Sequence, residues 1–144
     1  MTNNIVNSNE NDIFNLESKR KIMFKKLSKI GDLRSGTISV NYRKCGQNNC
    51  ICTKPGHPGH GPQYLWNTTI KGKSYAKNLK LGPELQKYKE ENDNYRKFMK
   101  ICKEIIQVNE EICKLRPSID IDSKKSEALK KKLQKYYRQK LKKK

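Results

Sequence analysis

The sequence predicts an α+β fold: a small three-stranded antiparallel sheet with a Cys/His knuckle loop, an N-terminal helix, a long C-terminal helix and then a basic tail. Three observations lead to this class. Apolar residues recur at helical spacing on both sides of a central segment. That central segment alternates apolar and polar residues, as strands do. Three cysteines and two histidines within residues 45–60 interrupt the alternation.

The chain of 144 residues allows one domain with appendages. Residues 1–11 are rich in Asn and carry too few apolar groups to offset the cost of ordering, so we expect disorder there. The remaining predicted parts are an N-terminal helix over 12–31, a zinc-knuckle-like β domain over 36–81, a long amphipathic helix over 82–116, and a linker with a Lys-rich tail over 117–144.

The first helix is predicted from apolar spacing and from its ends. Asp12 suits the N-cap, and Gly31 suits the position after the C-cap. The apolar residues at helical spacing are Ile13, Leu16, Met23, Phe24 and Leu27. We expect this helix to serve packing.

The sheet is predicted from one alternating strand and one hairpin. The strand covers Gly36 to Arg43, and the hairpin strands cover 63–70 and 73–80 around Lys71-Gly72. Setting Ile70 opposite Lys73 collects most of the large side chains on one face. That register pairs Thr68 with Tyr75, Trp66 with Lys77 and Tyr64 with Leu79.

The second helix begins at Gly82-Pro83 and ends before Pro117. Its predicted apolar stripe comprises Leu85, Tyr88, Tyr95, Phe98, Met99, Cys102, Ile105, Ile106 and Cys113. We expect Cys102 and Cys113 to be buried small hydrophobes. In the simpler interpretation, this stripe packs against other parts of the same chain. Alternatively, residues 85–115 form the contact surface of a homodimer or of a complex with another protein, and Asn109 fixes the register of that contact.

The charge balance predicts an anionic partner. The net charge is +19 and the pI is near 9.8, which makes nucleic acid the first candidate and a membrane surface the second. No stretch reaches the roughly 18 to 20 apolar residues of a membrane span, and the polar N-terminus is unlike a signal sequence. We therefore expect a cytoplasmic protein, in which five cysteines do not form a disulfide framework.

The cysteine loop predicts one structural zinc ion. Cys45, Cys50 and Cys52 supply three thiolates in the spacing Cys-x4-Cys-x-Cys. The fourth ligand is His60 or His57, and His60 is favoured because it adjoins Gly61-Pro62 and the start of a strand. A sheet of about 45 residues has a small core, so a metal would decide whether it folds. The alternatives are unligated cysteines in a flexible loop, and catalytic or redox thiols.

The predicted nucleic-acid contacts lie in the β domain and in the tail. Residues 36–80 contain no Asp or Glu, and residues 124–144 carry eleven Lys or Arg against one Glu. The candidate phosphate contacts are Arg43, Lys44, Lys54, Lys71, Lys73, Lys77, Lys80, Lys130, Lys131, Lys132 and Arg138. The aromatic residues of this domain are Tyr42, Tyr64, Trp66 and Tyr75. We expect them to pack in the core rather than to stack on unpaired bases. An acid-free centre argues against metal-dependent phosphoryl chemistry, so we expect no enzyme.

Several motifs resemble an uncharacterised family of short bacterial and archaeal proteins. The matching features are Gly36-Thr37-Ile38, Tyr42-Arg43-Lys44-Cys45-Gly46, Cys50-Ile51-Cys52, His60-Gly61-Pro62 with Tyr64, the Gly72-Lys73 hairpin and the helix that follows. The resemblance covers about Gly36 to Leu115. It implies a domain of unknown function associated with transposon-type mobile elements. That association favours DNA over RNA as the partner.

Overall fold

The computed structural model describes residues 2–119 and 121–143 and has the predicted α+β architecture. Its elements are α1 (Thr2–Ser28), β1 (Thr37–Arg43), a 3-10 turn (Ile51–Thr53), β2 (His60–Ile70), β3 (Lys73–Leu79), α2 (Pro83–Leu115) and α3 (Ser123–Leu141). The chain divides into two compact units, one up to Ile112 and one from Cys113 onward. Helix α3 belongs to the second unit.

Helix α1 differs from its predicted bounds at the N-terminus. It begins at Thr2, whereas the sequence predicts disorder over residues 1–11 and a helix from Asp12. Met1 lies outside the described residues. Extending an existing helix costs far less than nucleating one, because each added residue gains a hydrogen bond. The packed segment that follows therefore supports a polar extension that could not nucleate alone.

Helices α1 and α2 pack against each other in antiparallel order. Arg20 donates a hydrogen bond to Asn109 (2.7 Å), while Asp32, just past the end of α1, accepts one from Asn94 (2.8 Å). Residues further along α1 therefore contact residues earlier in α2, as expected for antiparallel helices. The shared core comprises Met23, Ile105, Val108 and Ile112, with Leu16, Leu27 and Ile101 packed around it.

The buried stripe of α2 is narrower than predicted. Ile105 is buried, but Met99 and Ile106 are 39% and 68% exposed, and the buried Val108 and Ile112 were not predicted. The prediction that Cys113 is buried was wrong, since its thiol is exposed; Cys102 is half-buried. A long helix with apolar residues on two sides buries only the side that meets a neighbour.

Asn109 serves the helix pair within one chain. Its side-chain oxygen accepts the Arg20 hydrogen bond, and its amide donates to the carbonyl of Ile105 (2.9 Å). The side chain is therefore engaged by α1 and by its own helix. The alternative interpretation of the sequence assigns Asn109 a role in fixing the register of a dimer seam. Its contact with Arg20 explains the polar residue at this position without a second chain.

The predicted strand register is confirmed. The sheet order is β1-β2-β3, and β2 pairs with β3 through Ile70–Lys73, Thr68–Tyr75, Trp66–Lys77 and Tyr64–Leu79. Lys71 and Gly72 form the connecting turn with φ values of 49° and 75°. Two consecutive positive φ values are the signature of a type I′ hairpin turn, whose twist matches that of the strands.

The start of α2 packs on one sheet face through a cation–aromatic cluster. The Arg34 guanidinium lies 4.0 Å from the Tyr88 ring centroid and 5.4 Å from that of Trp66, and it pairs with Glu91 at 3.0 Å. The buried Asn92 amide donates to the carbonyls of Arg34 and Gly36 (3.1 and 2.8 Å). These bonds tie the chain between α1 and β1 to α2.

Candidate metal centre and basic surfaces

Strand pairing brings the two ends of the cysteine loop together. Arg43, the last residue of β1, pairs with His60, the first residue of β2, after a register shift. Cys45 follows Arg43 by two residues, so it emerges beside His60. Cys50 precedes the 3-10 turn and Cys52 lies within it. A sheet end and one short turn therefore supply all four candidate ligands.

The four ligand atoms form one cluster. The thiol sulfurs of Cys45, Cys50 and Cys52 and a ring nitrogen of His60 all lie within 4.8 Å of one another. The Cys45 and Cys52 sulfurs are 3.5 Å apart, and the Cys50 sulfur lies 3.1 Å from His60 Nε2. Ligand atoms on a tetrahedral zinc ion are separated by about 3.5 to 3.8 Å. The residues present therefore fit a four-coordinate metal ion.

The two candidate histidines differ in their position relative to the cysteines. His60 belongs to the ligand cluster and His57 does not. The His57 Nδ1 atom instead accepts a hydrogen bond from the Gly59 backbone N–H at 3.0 Å. His57 thereby shapes the return of the loop toward β2. The preference for His60 is consistent with this arrangement.

Backbone contacts hold the loop in its ligand-presenting shape. The Cys50 carbonyl accepts bonds from the Thr53 N–H and hydroxyl (3.1 and 2.7 Å), which closes the 3-10 turn. The Lys44 ammonium donates to the carbonyl of Cys52. Gly59 is buried with φ of 105°, and a Cβ there would lie 2.8 Å from the Arg43 backbone. Sequence reasoning missed Gly59, although its position between Pro58 and His60 marks a constrained turn.

The donor set defines what the site can do chemically. Three thiolates and one imidazole suit a structural metal site, where every coordination position is filled by the protein. Catalytic metal sites instead keep a position for water or substrate. Burial is uneven: Cys52 is fully buried, whereas Cys45 and His60 are exposed. The arrangement can hold a metal ion at the end of the sheet.

The basic residues of the β domain lie toward opposite ends of the sheet. Arg43, Lys44 and Lys54 belong to the knuckle end, whereas Lys71 and Lys73 belong to the hairpin turn. Ten residues of β2 separate the two ends, which is about 30 Å along the strand. The strand register therefore separates these five basic residues into two groups. Lys80 follows the end of β3 and is exposed.

Lys77 has an anionic neighbour. Its ammonium pairs with Glu84 at 2.5 Å and lies 5.3 Å from the Tyr88 ring centroid. The hydrogen bond to Glu84 raises the pKa of Lys77, and the same bond, aided by the Lys80 backbone N–H, lowers the pKa of Glu84. The charge of this candidate phosphate contact is thus partly balanced by α2.

The aromatic residues fall into two groups. Trp66 and Tyr64 are half-buried, and the Trp66 ring meets Tyr88 edge-on at 5.5 Å. Tyr42 and Tyr75 are exposed. The prediction that the aromatic residues pack in the core therefore fits Tyr64 and Trp66 in β2. It was wrong for Tyr42 and Tyr75, which lie on the outer strands and are exposed to solvent.

The candidate contacts in the tail occupy different sides of α3. Lys131 and Arg138 lie seven residues apart and line the same shallow groove. Lys130 and Lys132 are neighbours of Lys131 and so project about 100° away from it on either side. Lys130 pairs with Glu127 at 3.2 Å. Sequence reasoning missed Lys135 and Lys142, which line the groove with Lys131 and Arg138.

The fold and the cluster define a Cys3His knuckle module set between two helices. A family model described as a domain of unknown function, DUF6788, matches residues 15–87, slightly more than half of the chain. The chain belongs to this family. The matched region takes in about half of α1, the whole sheet and the first turn of α2, so it starts and ends earlier than the resemblance over 36–115. Comparisons with curated proteins and with solved structures gave no significant match.

Across residues 2–119 and 121–143, no helix has both the length and the apolar character that a bilayer crossing requires.

Proposed function

We propose that the protein is a non-enzymatic, zinc-stabilised nucleic-acid-binding protein of the cytoplasm. The observation that carries the proposal is the Cys3His cluster within a segment, residues 36–80, that has seven basic residues and no acidic one. The metal would hold the sheet end, and the surrounding cations and the basic tail would bind phosphates. Cys45, Cys50, Cys52 and His60 are the proposed ligands.

The donor chemistry supports zinc as the metal. Thiolate-rich sites with one imidazole favour zinc over hard cations such as magnesium and calcium, which prefer oxygen ligands. The knuckle has little apolar packing of its own, since Cys52 is its one buried hydrophobic residue. A structural zinc ion contributes on the order of 10 kcal/mol of apparent binding free energy. That magnitude is sufficient to determine whether the loop is ordered.

Charge supports nucleic acid as the partner. A net charge of +19 on 144 residues produces a positive potential that attracts polyanions without reading their sequence. The resemblance to proteins of mobile elements favours DNA over RNA and suggests an accessory role beside a transposase. Binding should therefore be salt-sensitive, with little sequence preference.

The same features argue against an enzyme. Metal-assisted phosphoryl chemistry uses clustered carboxylates or an open metal position. Four protein ligands would fill a tetrahedral metal, and the segment from 36 to 80 has no carboxylate side chain.

Two measurements test the proposal. Elemental analysis of protein purified without added metal should give one zinc per chain, and Cys50→Ser should abolish it while Cys102→Ser should not. Titration with DNA and RNA, duplex and single-stranded, should show binding that weakens steeply between about 50 and 200 mM salt. Absence of zinc from a folded protein removes the metal half of the proposal. Absence of nucleic-acid binding at low salt removes the other half.

A second candidate is a protein-interaction module that dimerises or docks through α2, with the charge mainly solubilising. The observation that favours it is the exposure of Met99 and Ile106, one heptad apart on the helix side away from the α1 contact. Sedimentation over the micromolar range tests self-association. Ile106→Glu should abolish a dimer, whereas Lys100→Glu, at an exposed position on another side of the same helix, serves as the control.

A further inference from the structure

Four basic side chains, three in α3 and one at its C-cap, form a line along one side of the helix. Lys131, Lys135, Arg138 and Lys142 line a shallow groove on this surface. They follow one another at intervals of four, three and four residues, which keeps them within about 60° of arc. The line extends about 16 Å along the helix axis. We call these four residues the basic stripe.

We propose that the basic stripe binds the phosphate backbone of double-stranded nucleic acid and is the main phosphate contact of the chain. This inference rests on the proposed nucleic-acid-binding function and assigns it to one helix surface and one class of nucleic acid. The candidate contacts Lys130 and Lys132 then contribute only to the general potential.

The side chains within the groove favour phosphates over unpaired bases. Between the cations the groove is lined by Gln134 and Gln139, whose amides are hydrogen-bonding groups suited to phosphate oxygens. Tyr136 and Tyr137 do not line it; their rings meet each other edge-on, 5.0 Å apart. Recognition of single strands depends on aromatic stacking. A stripe without aromatic residues can neutralise a phosphate row but cannot stack on a base.

The shape of α3 suits a duplex. Its start is defined by Asp122, whose side chain accepts the Lys125 N–H at 2.9 Å. A helix is about 10 to 12 Å across with its side chains, and the major groove of B-DNA is about 12 Å wide. Four cations on one side can therefore follow a single phosphate row while the helix lies along the groove.

Repulsion between the cations of the basic stripe also favours an anionic partner. Lys131 and Lys135, and Arg138 and Lys142, are like-charged pairs four residues apart, an arrangement that destabilises a helix. No residue of α3 is buried, so packing does not offset this repulsion. A phosphate row beside the stripe would remove it. Binding of a duplex should therefore raise the helical signal of the full-length protein.

The test compares two full-length variants with the same loss of charge. The stripe variant carries Lys131→Gln, Lys135→Gln, Arg138→Gln and Lys142→Gln. The control carries Lys125→Gln, Lys130→Gln, Lys132→Gln and Lys140→Gln, which lie on the same helix but outside the groove. Gln is a good helix former, so circular dichroism should show that α3 is kept in both free variants. Because the stripe variant also loses two like-charged pairs, its helical signal should be at least that of wild type.

Affinity for a mixed-sequence DNA duplex is then measured against salt concentration. Each lost phosphate contact reduces the slope of log affinity against log salt by about 0.9, so the stripe variant should lose about 3 to 4 in slope. Its affinity should fall at least about tenfold, and the control should lose less than about 1 in slope.

Three outcomes would overturn the stripe assignment while leaving the proposed function standing. They are equal losses in the two variants, a wild-type preference for single strands over duplex, and unchanged duplex binding by the stripe variant. Stripe-dependent binding to anionic phospholipid vesicles with no duplex binding overturns it in favour of a lipid surface. A wild-type protein that binds no nucleic acid at low salt overturns both proposals together.

Discussion

The helix pair and the knuckle are stabilised by opposite kinds of contact. Where α1 meets α2, four apolar side chains are buried together and three more pack around them. At the knuckle, one thiol is fully buried and most of the surrounding loop is exposed. The helix pair buries apolar surface, whereas the knuckle converges on a small set of ligand atoms.

This difference predicts two kinds of stability in one chain. Apolar burial stabilises the helix pair in proportion to the area removed from water, whatever metal is present. The knuckle lacks such an area, so we expect its order to depend on the proposed metal that would join its four candidate ligands. The following changes test this contrast, beginning with the largest expected effect.

Removing the proposed metal should unfold the knuckle and spare the helix pair. Chelation, or Cys52→Ser, should remove on the order of 10 kcal/mol of apparent binding free energy from the loop. Hydrogen exchange should lose protection over residues 44–62 and retain it in α1 and α2. Cys102→Ser, in α2 and outside the cluster, is the matched control. Unchanged protection of the loop after chelation would contradict the contrast.

Truncating the helix core should have the converse effect. Ile112 is 2% exposed, so Ile112→Ala should lower the free energy of unfolding by about 2 to 5 kcal/mol. Its metal content should not change. Ile106→Ala, on the exposed side of the same helix, should remain within about 0.5 kcal/mol of wild type. Denaturant unfolding and elemental analysis measure the two quantities; equal losses in both variants would count against the described core.

The junction between α2 and the chain that joins α1 to β1 should show an intermediate effect. Asn92→Ala would leave the carbonyls of Arg34 and Gly36 without their side-chain donor, which should cost about 1 to 3 kcal/mol. Asn94→Ala, which removes one exposed bond to Asp32, should cost less. Denaturant unfolding measures both variants, and a larger loss for Asn94→Ala would argue against this junction.

The smallest expected effect is that of pH at Glu91. A hydrogen bond from Lys87, assisted by the positive charge of Arg34, lowers the pKa of Glu91 below its ordinary value. A lowered carboxyl pKa stabilises the folded chain above the unfolded pKa, near 4.5, and this stabilisation is lost as pH falls through the folded pKa. Glu91→Gln should therefore cost about 1 kcal/mol or less at neutral pH.

The difference between wild type and Glu91→Gln should disappear in acid. Stability measured between neutral pH and about pH 3 shows this convergence. Glu90→Gln is the control, because Glu90 bonds to the neutral amide of Gln86 (2.6 Å). A difference in unfolding free energy between wild type and Glu91→Gln that increases as the pH falls would contradict this prediction.

The hairpin was predictable because its information is local. The Lys71-Gly72 turn sets which residues face each other, and alternation then assigns every side chain of β2 and β3 to a face. The cluster of candidate ligands was largely predictable for a related reason. Cys50 and Cys52 lie on one turn, and strand pairing constrains His60 more than His57.

The stripe of α2 was less predictable because two of its sides are apolar. Helical period places Ile105 and Ile106 on neighbouring sides, and sequence alone gives no reason to bury one and expose the other. The position of α1 makes that choice, since it contacts the side that includes Ile105 and Val108. Helix periodicity identifies apolar sides, but only a neighbouring element determines which one is buried.

By itself, the sequence determined the register of the hairpin, the three cysteine candidates for metal ligation and the strong positive charge. These follow from turn chemistry, side-chain type and composition, which act over short distances or without regard to position. The tertiary structure decided that His60 rather than His57 joins the cluster, that the sheet cations lie at two ends, and that one side of α2 is buried. Each of these depends on residues distant in the chain, and only packing and strand pairing bring such residues together.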